Sequence, residues 1–144
     1  TFNLTLFLCD NMLVSSTTLA AEIFQFAQAM ARARANREPH SKLTIRWVST
    51  DGQPVKTSAG FQLHPTHSIE DTFTSDLIHI PALWRNPRPA VLKNQAYIPW
   101  LQEQHQRNCS FTAVGTGVCF LAEAGLLDDK SATTHWHYFD QLQR

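Results

Sequence analysis

The sequence predicts an α/β domain: a three-layer sandwich around a mainly parallel sheet. Short apolar runs at Phe2–Cys9, Leu43–Val48, Asp76–Ile80 and Ser110–Val114 alternate with segments of helical period, the pattern of strands joined by crossover helices. The first run is apolar on both faces, with Leu4, Leu6 and Leu8 on one side and Phe7 on the other. A strand covered on both sides reads this way in a parallel sheet. At 144 residues the chain is long enough to bury one substantial core, and nothing in it marks a linker between two.

After the first strand and the loop Asp10–Val14, Ser15-Ser16-Thr17-Thr18 offers several residues able to cap a helix. Leu19, Ile23, Phe24, Ala27, Met30 and Ala31 then recur at helical spacing to about Ala35. Leu43–Val48 is the second strand. Asp51-Gly52 makes a turn, and Val55–Thr57 with Phe61–His64, on either side of Ala59-Gly60, predicts a small β-ribbon. Asp76–Ile80 is a core strand stopped by Pro81. Pro87 and Pro89 break the chain before a short helix from about Ala90 to Gln95. A further helix carries Pro99 in its first turn, buries Trp100 and Leu101 and ends near Gln106. Ser110–Val114 is the fourth core strand, followed by a turn at Gly115-Thr116-Gly117, a helix over Val118–Leu127, a short strand over Ser131–His135, and a helix starting at Trp136.

Twelve basic residues balance twelve acidic ones. A domain that binds DNA by itself usually carries a basic excess, because phosphate neutralisation supplies most of the affinity. The local run Arg32, Arg34, Arg37 is partly offset by Glu38 and sits where a helix ends, so it reads as cations favoured by the helix dipole. The three cysteines, Cys9, Cys109 and Cys119, form no C-x-x-C spacing. An odd count without a framework points to a reducing, cytoplasmic compartment, with Cys9 and Cys119 behaving as small buried hydrophobes. The N-terminal apolar run lacks a basic leader and is cut by Asp10-Asn11, so it reads as a strand. No run approaches the length of a membrane span. The chain lacks an initiator methionine and stops inside a predicted helix, so we expect a piece of a longer protein.

The turn and its sequel, AVGTGVCFLAEAGLLDDKSATTHW, carry a specific resemblance. Ala113-Val114, Thr116-Gly117, Ala124-Gly125-Leu126-Leu127-Asp128 and Ala132-Thr133-Thr134-His135-Trp136 resemble the elbow region of the DJ-1/PfpI superfamily. More narrowly, they are similar to the amidase-like N-terminal domain of AraC-family transcriptional regulators. Trp47–Gly52, with Val55, Thr57 and Gly60, resembles that family's second strand and hairpin, and Trp100-Leu101 its helix before the elbow. The resemblance implies a flavodoxin-like, class I glutamine amidotransferase-like fold over residues 1–144. It also implies continuation into a helix-turn-helix region, through which alone DNA is contacted, and pairing of two chains. No apolar stripe is read from the sequence as the pairing surface.

Acyl-transfer chemistry of this type needs a nucleophile on the turn, a base in reach and amides aimed at the developing oxyanion. The resemblance places a cysteine at the elbow, a histidine about twenty residues on and an acidic residue early in the first helical region. Here those positions hold Gly115, His135 and Ser16. Where relatives carry a Gly-Gly pair after the third core strand, this chain has Pro81-Ala82, and proline has no N–H to donate. Cysteine-dependent hydrolysis is therefore not expected, and Cys119, four residues past Gly115, reads as packing. A bare turn at a helix N-terminus still presents amides to a carboxylate or carbonyl. The expected site is an effector pocket lined by Asn11, Ser16, Pro81, Ala82, Gly115, Thr116 and His135. Its alternative is a vestigial site in which Gly115 serves turn geometry alone. The pair His135 and His137 would share a face on a strand, but Trp136 marks the passage into a helix, so no metal and no cofactor are expected.

Three functions stand in order. The first is a non-catalytic, effector-binding, pairing domain of a regulator. The second is an amidase, hydrolase or chaperone-like enzyme of the wider superfamily. The third is a partner-binding scaffold without a ligand.

Overall fold

The structure, a computed structural model, describes residues 1–34 and 42–143. Five strands form one parallel sheet: β1 (Phe2–Phe7), β2 (Leu43–Ser49), β5 (His67–Ser68), β6 (Leu77–Ile80) and β7 (Ser110–Ala113), in the order β5-β2-β1-β6-β7. β3 (Val55–Lys56) and β4 (Gln62–Leu63) make the predicted ribbon as a separate antiparallel pair. The sheet is parallel throughout, as the two-sided apolar pattern of the first strand requires.

Helix α1 (Ser15–Arg34) covers one face; α2 (Arg88–Lys93), α3 (Tyr97–Gln106) and α4 (Val118–Glu123) cover the other, and α5 (Phe139–Leu142) follows the last 3-10 turn. Alternation along β1 divides the core in two. Leu4 and Leu6 pack with Ala21 of α1, and Phe7 joins Tyr97, Trp100, Leu101 and Phe120 on the opposite side. There the Phe7 ring stacks on Tyr97 at 3.6 Å and meets Phe120 edge-on at 4.7 Å. The buried Tyr97 hydroxyl lies 2.5 Å from the Leu8 carbonyl and 2.8 Å from that of Val48, tying α3 to the ends of two neighbouring strands. Burial, above all, holds that phenol well above its ordinary pKa.

Several sequence expectations are corrected. β1 ends at Phe7 rather than Cys9; Leu8 and Cys9 continue as buried irregular chain. The helix expected from 118 to 127 stops at Glu123. Gly125, at φ +72°, accounts for this: its N–H bonds Ala122 O and that of Leu126 bonds Leu121 O, both at 3.0 Å, a glycine-dependent helix stop. No strand forms over Ser131–His135: the segment pairs with no strand, is tied to the elbow by the Thr134 hydroxyl on Gly115 O, and leaves β7 as the sheet's outer member among the described residues. His67–Ser68, which carries no strand pattern, forms the other edge, held to Val48 and Ser49 of β2.

The face that α1 buries also differs from its large-hydrophobe pattern. Thr17 and Ala21 are buried and Phe24 packs beside them, whereas Leu19, Ile23 and Met30 point to solvent. Small residues let the helix lie close on the sheet. The residues expected at the C-terminal end of this helix, Ala35, Arg37 and Glu38, lie outside the described residues.

Candidate functional site

Three loops meet at the carboxyl ends of the adjacent strands β1, β6 and β7, the edge where open parallel sheets hold ligands. After β1, Asn11 adopts φ +66°. Its N–H bonds Lys56 O at 2.8 Å, its carbonyl accepts from Trp84 N–H at 3.0 Å, and its side-chain amide donates to Trp84 O at 3.0 Å. Met12 bridges Leu83. The β1 loop is thereby sewn to the ribbon on one side and to the loop after β6 on the other.

Ser16 completes this join. Its hydroxyl donates to Leu13 O at 2.6 Å and accepts from Ala82 N–H at 3.0 Å, and its carbonyl meets His79 Nε2 at 2.7 Å. The other ring nitrogen of His79 lies 2.8 Å from Thr112 Oγ1. His79 is buried in β6 and registered opposite Thr112 in β7. Nε2 donates to the Ser16 carbonyl, and the Thr112 hydroxyl, able to donate or accept, meets Nδ1. In the sequence His79 is one of several scattered histidines. Its signal is the pairing of a strand histidine with a threonine on the neighbouring strand, and only the register reveals that.

The elbow follows β7. Val114 N–H bonds Ile80 O at 3.1 Å, and Gly117 N–H closes the 3-10 turn Gly115–Gly117 onto Val114 O at 2.9 Å. Gly115 sits at φ +49°, a left-handed conformation that strains any other residue. A Cβ added there would meet the Ala82 Cβ at 3.7 Å, ordinary contact. Position 117 is different. A Cβ there would stand 2.2 Å from Pro81 O, so bare backbone is what allows α4 to start against the end of β6. Thr116 is buried between them: its hydroxyl accepts from Leu83 N–H at 3.0 Å and lies 3.3 Å from Leu83 O.

Six of the seven expected site residues thus lie together at this edge: Asn11, Pro81, Ala82, Gly115 and Thr116 on the three joined loops, and Ser16 in the first turn of α1. The hydroxyls of Ser16 and Thr116 are committed to holding the loops together. The segment after α4 reaches the elbow through Thr134, whose hydroxyl donates to Gly115 O at 3.1 Å; the sequence marks it only as part of the Ala132–Trp136 motif, with no role of its own. His135 is exposed, its Nδ1 accepts from His137 N–H at 3.2 Å, and its ring lies beside Trp136 and Tyr138. The side chain next to it, and not the imidazole, makes the bond to Gly115.

Two concavities lie elsewhere. A groove of about 1110 Å³ runs between α2, α4 and the C-terminal segment, bordered by Val91, Leu92, Cys119, Leu127 and Phe139. A smaller hollow of about 270 Å³ lies at Asp51, Gly52 and His67. None of the seven residues borders either one.

None of the three thiols is activated. Burial, with the Asp10 carboxylate adding to it, pushes Cys9 far above the ordinary range. Burial and then the Asp76 carboxylate push Cys109 up to about 11, and burial raises Cys119. Thiolate nucleophiles require the opposite environment. At the lip of the β1 loop, Asp10 accepts from Lys56 N–H at 3.0 Å and pairs with Lys93 at 2.6 Å. Partial burial works to raise the Asp10 pKa, but the bonds from Lys93 and Lys56 and the Lys93 charge together hold it low. Among the described residues no cluster of ligating side chains is placed to hold a metal ion, and no helix is long and apolar enough to cross a membrane.

The chain is similar to known proteins along most of its length. It is 32% identical over 123 residues to the HTH-type transcriptional regulator CdhR of Pseudomonas aeruginosa, covering 84% of this chain and 35% of that one. It is 36% identical over 98 residues to the isonitrile hydratase of Pseudomonas putida, covering 68% of this chain and 42% of that one. The chain therefore spans less than half the length of these curated relatives. Among solved structures, an AraC family transcriptional regulator from Pseudomonas putida superposes with a TM-score of 0.79 at 22% identity, over 99% of this chain and 71% of that one. Schizosaccharomyces pombe DJ-1 superposes with a TM-score of 0.71 at 16% identity, over 98% and 72%. The model of the DJ-1/PfpI family matches residues 11–144, which takes in all three loops of the site, and the chain belongs to that family.

Proposed function

We propose that this chain is a non-catalytic, effector-binding and pairing domain of an AraC-family transcriptional regulator, with Gly115 standing where the superfamily's nucleophilic cysteine sits. The observation that carries the reading is the elbow itself. A left-handed turn between a parallel strand and the helix that follows it is where a nucleophile is displayed, and here, after β7, it bears no side chain. The regulators among the relatives support the same reading.

The effector sits over the bare turn, in the space a side chain at 115 would fill against Ala82. The leading N–H groups of the elbow turn are its donors, as at any helix start. Asn11, Pro81 and Ala82 form the floor, Ser16 and Thr116 fix the loops, and His135 stands at the rim with the segment that Thr134 ties to the turn. DNA is contacted by a further helix-turn-helix region in the cytoplasm, and the effector acts through unequal affinity for two arrangements of the paired domains.

A thermal-shift and calorimetry screen of amino acids, amines and related metabolites tests this. The expected result is a saturable ligand whose binding is lost in Gly115→Trp while the fold is kept. No ligand, or a ligand indifferent to Gly115→Trp, overturns the reading.

A second reading, a hydrolase or related enzyme, is favoured by the similarity to an isonitrile hydratase. Assay with amide, ester and α-oxoaldehyde substrates separates the two. Turnover abolished by His135→Ala supports the enzyme; its absence supports the sensor. Turnover that survives this substitution comes from neither the elbow nor its histidine.

A further inference from the structure

Met12 and Leu83 form an antiparallel bridge, and both side chains are buried in the core. Backbone bonds flank the bridge: Leu13 N–H to Ala82 O at 2.9 Å and Trp84 N–H to Asn11 O at 3.0 Å. Side chains alternate along extended chain, so Ala82 and Trp84 share the face opposite Leu83, and Asn11 stands across from Trp84 on it. Ala82 identifies that face. A Cβ added at Gly115 would meet the Ala82 Cβ at 3.7 Å, so Trp84 borders the same space two residues farther along, roughly 7 Å from Ala82 at extended spacing.

The Trp84 side chain is 48% exposed, yet its backbone is fixed. Asn11 takes its N–H with a carbonyl and its carbonyl with the side-chain amide. Arg85 follows at φ +61°, a left-handed conformation uncommon outside glycine, and its guanidinium carbon lies 5.6 Å from the centre of the indole. Asn11, across the bridge, is left-handed too. Residues held in such conformations concentrate at ligand clamps. A cation stacked on an aromatic ring recurs in many proteins and alone would mean little. This one is set on clamped backbone beside the bare turn. Arg85 also pairs with no carboxylate among the described residues, whereas Lys93 and Arg107 do.

We propose that Trp84 and Arg85 set the ligand class of the effector site: a small carboxylate with an apolar body. The inference deepens the effector-binding reading above and rests on it. The stacked guanidinium offers a planar fork of donors to two carboxylate oxygens. The open part of the indole takes the apolar body, and the far end of the ligand reaches the bare turn beside Ala82. The roughly 7 Å between Ala82 and Trp84 suits an acid of about four to eight carbons and leaves acetate too short to span it. An amine meets a cation here and no free counter-ion, because the Asp10 carboxylate, next to Asn11 in the chain, is already paired with Lys93.

Calorimetric titration with butyrate, hexanoate and phenylacetate, each beside its own amide and with acetate as the short control, tests this. At least one of the three acids is expected to bind saturably, with its amide and acetate at least about tenfold weaker, and its binding is expected to be lost in Gly115→Trp. Arg85→Gln should bring the acid down to the level of its amide and leave the amide unchanged. Arg85→Lys, which keeps the charge but not the fork, should fall between. Trp84→Ala should weaken acid and amide alike. Both positions are exposed, so melting temperatures should stay near the wild type. An acid that binds no better than its amide, or that is indifferent to Arg85→Gln, overturns the proposal. So does an amine or neutral metabolite whose binding is lost in Gly115→Trp but kept in both Arg85→Gln and Trp84→Ala; the effector site then stands without this wall. An acid that still binds Gly115→Trp, or the absence of any saturable ligand, overturns the proposal and the effector reading together.

Discussion

The Thr116 hydroxyl accepts the Leu83 N–H at 3.0 Å and lies 3.3 Å from the Leu83 carbonyl. One side chain thus occupies both backbone groups of a residue on the neighbouring loop and locks the elbow to the end of β6. Thr116→Val keeps the shape and removes the oxygen, stranding a buried donor and acceptor. The expected cost is about 1–3 kcal/mol, read as a fall of several degrees in melting temperature. An unchanged melting temperature means the clamp contributes nothing.

The two elbow glycines separate by mechanism. At 117 an added Cβ collides with Pro81 O at 2.2 Å, and neither partner is a side chain that can rotate away. At 115 the neighbour is a methyl at 3.7 Å and the penalty is the positive φ alone. Gly115→Ala is expected to cost about 1–2 kcal/mol and Gly117→Ala clearly more, as overpacking against backbone does. Chemical denaturation of the two variants side by side measures the order; the reverse order contradicts the close approach of α4 to β6.

Alkylation by iodoacetamide should be slow near neutral pH at all three cysteines, since each thiol is held above its ordinary pKa. For Cys109, at about 11, only on the order of a thousandth is thiolate at pH 8. Its labelling rate is expected to climb with pH toward 11. A native cysteine that labels rapidly and pH-independently between 6 and 8 would reveal an activated thiol and reopen the enzymatic reading.

Asp10 has a lowered pKa in the folded chain, so the folded state holds its carboxylate more firmly than the unfolded state does. Its contribution is complete above the unfolded carboxyl pKa and fades as pH falls through the lower folded one. The stability difference between wild type and Asp10→Asn should therefore be present at pH 7 and shrink as the solution is acidified below about pH 4. Because the Lys93 end is exposed, added salt should reduce it as well. Urea unfolding at several pH values follows the difference directly; one that grows on acidification contradicts the assignment.

Local pattern is enough for the strands and the elbow. Phe2–Phe7, Leu43–Ser49, Leu77–Ile80 and Ser110–Ala113 are short runs with apolar residues at strand spacing, bounded by turns, and such runs are readable without their partners. The Gly115-Thr116-Gly117 turn is legible for the same reason, since glycine marks backbone geometry in the sequence itself. His67–Ser68 escapes the pattern because a two-residue edge strand takes its structure from β2 and carries no period of its own. The strand expected at 131–135 is absent: its residues suit a strand by local pattern, but the segment pairs with none among the described residues and is held to the elbow through Thr134 instead.

Sequence by itself determined the layered α/β architecture, the bare turn and the balanced charge, all of which depend on neighbours in the chain. Only the tertiary structure decided which of the two apolar faces of α1 meets the sheet. It alone decided that Ser16 and Thr116 hold loops together, that His79 joins Ser16 to Thr112, and that Thr134 rather than the His135 imidazole bonds the Gly115 carbonyl. Those outcomes depend on partners dozens of residues away in several cases, and register and close approach between strands select among side chains whose local patterns are equivalent.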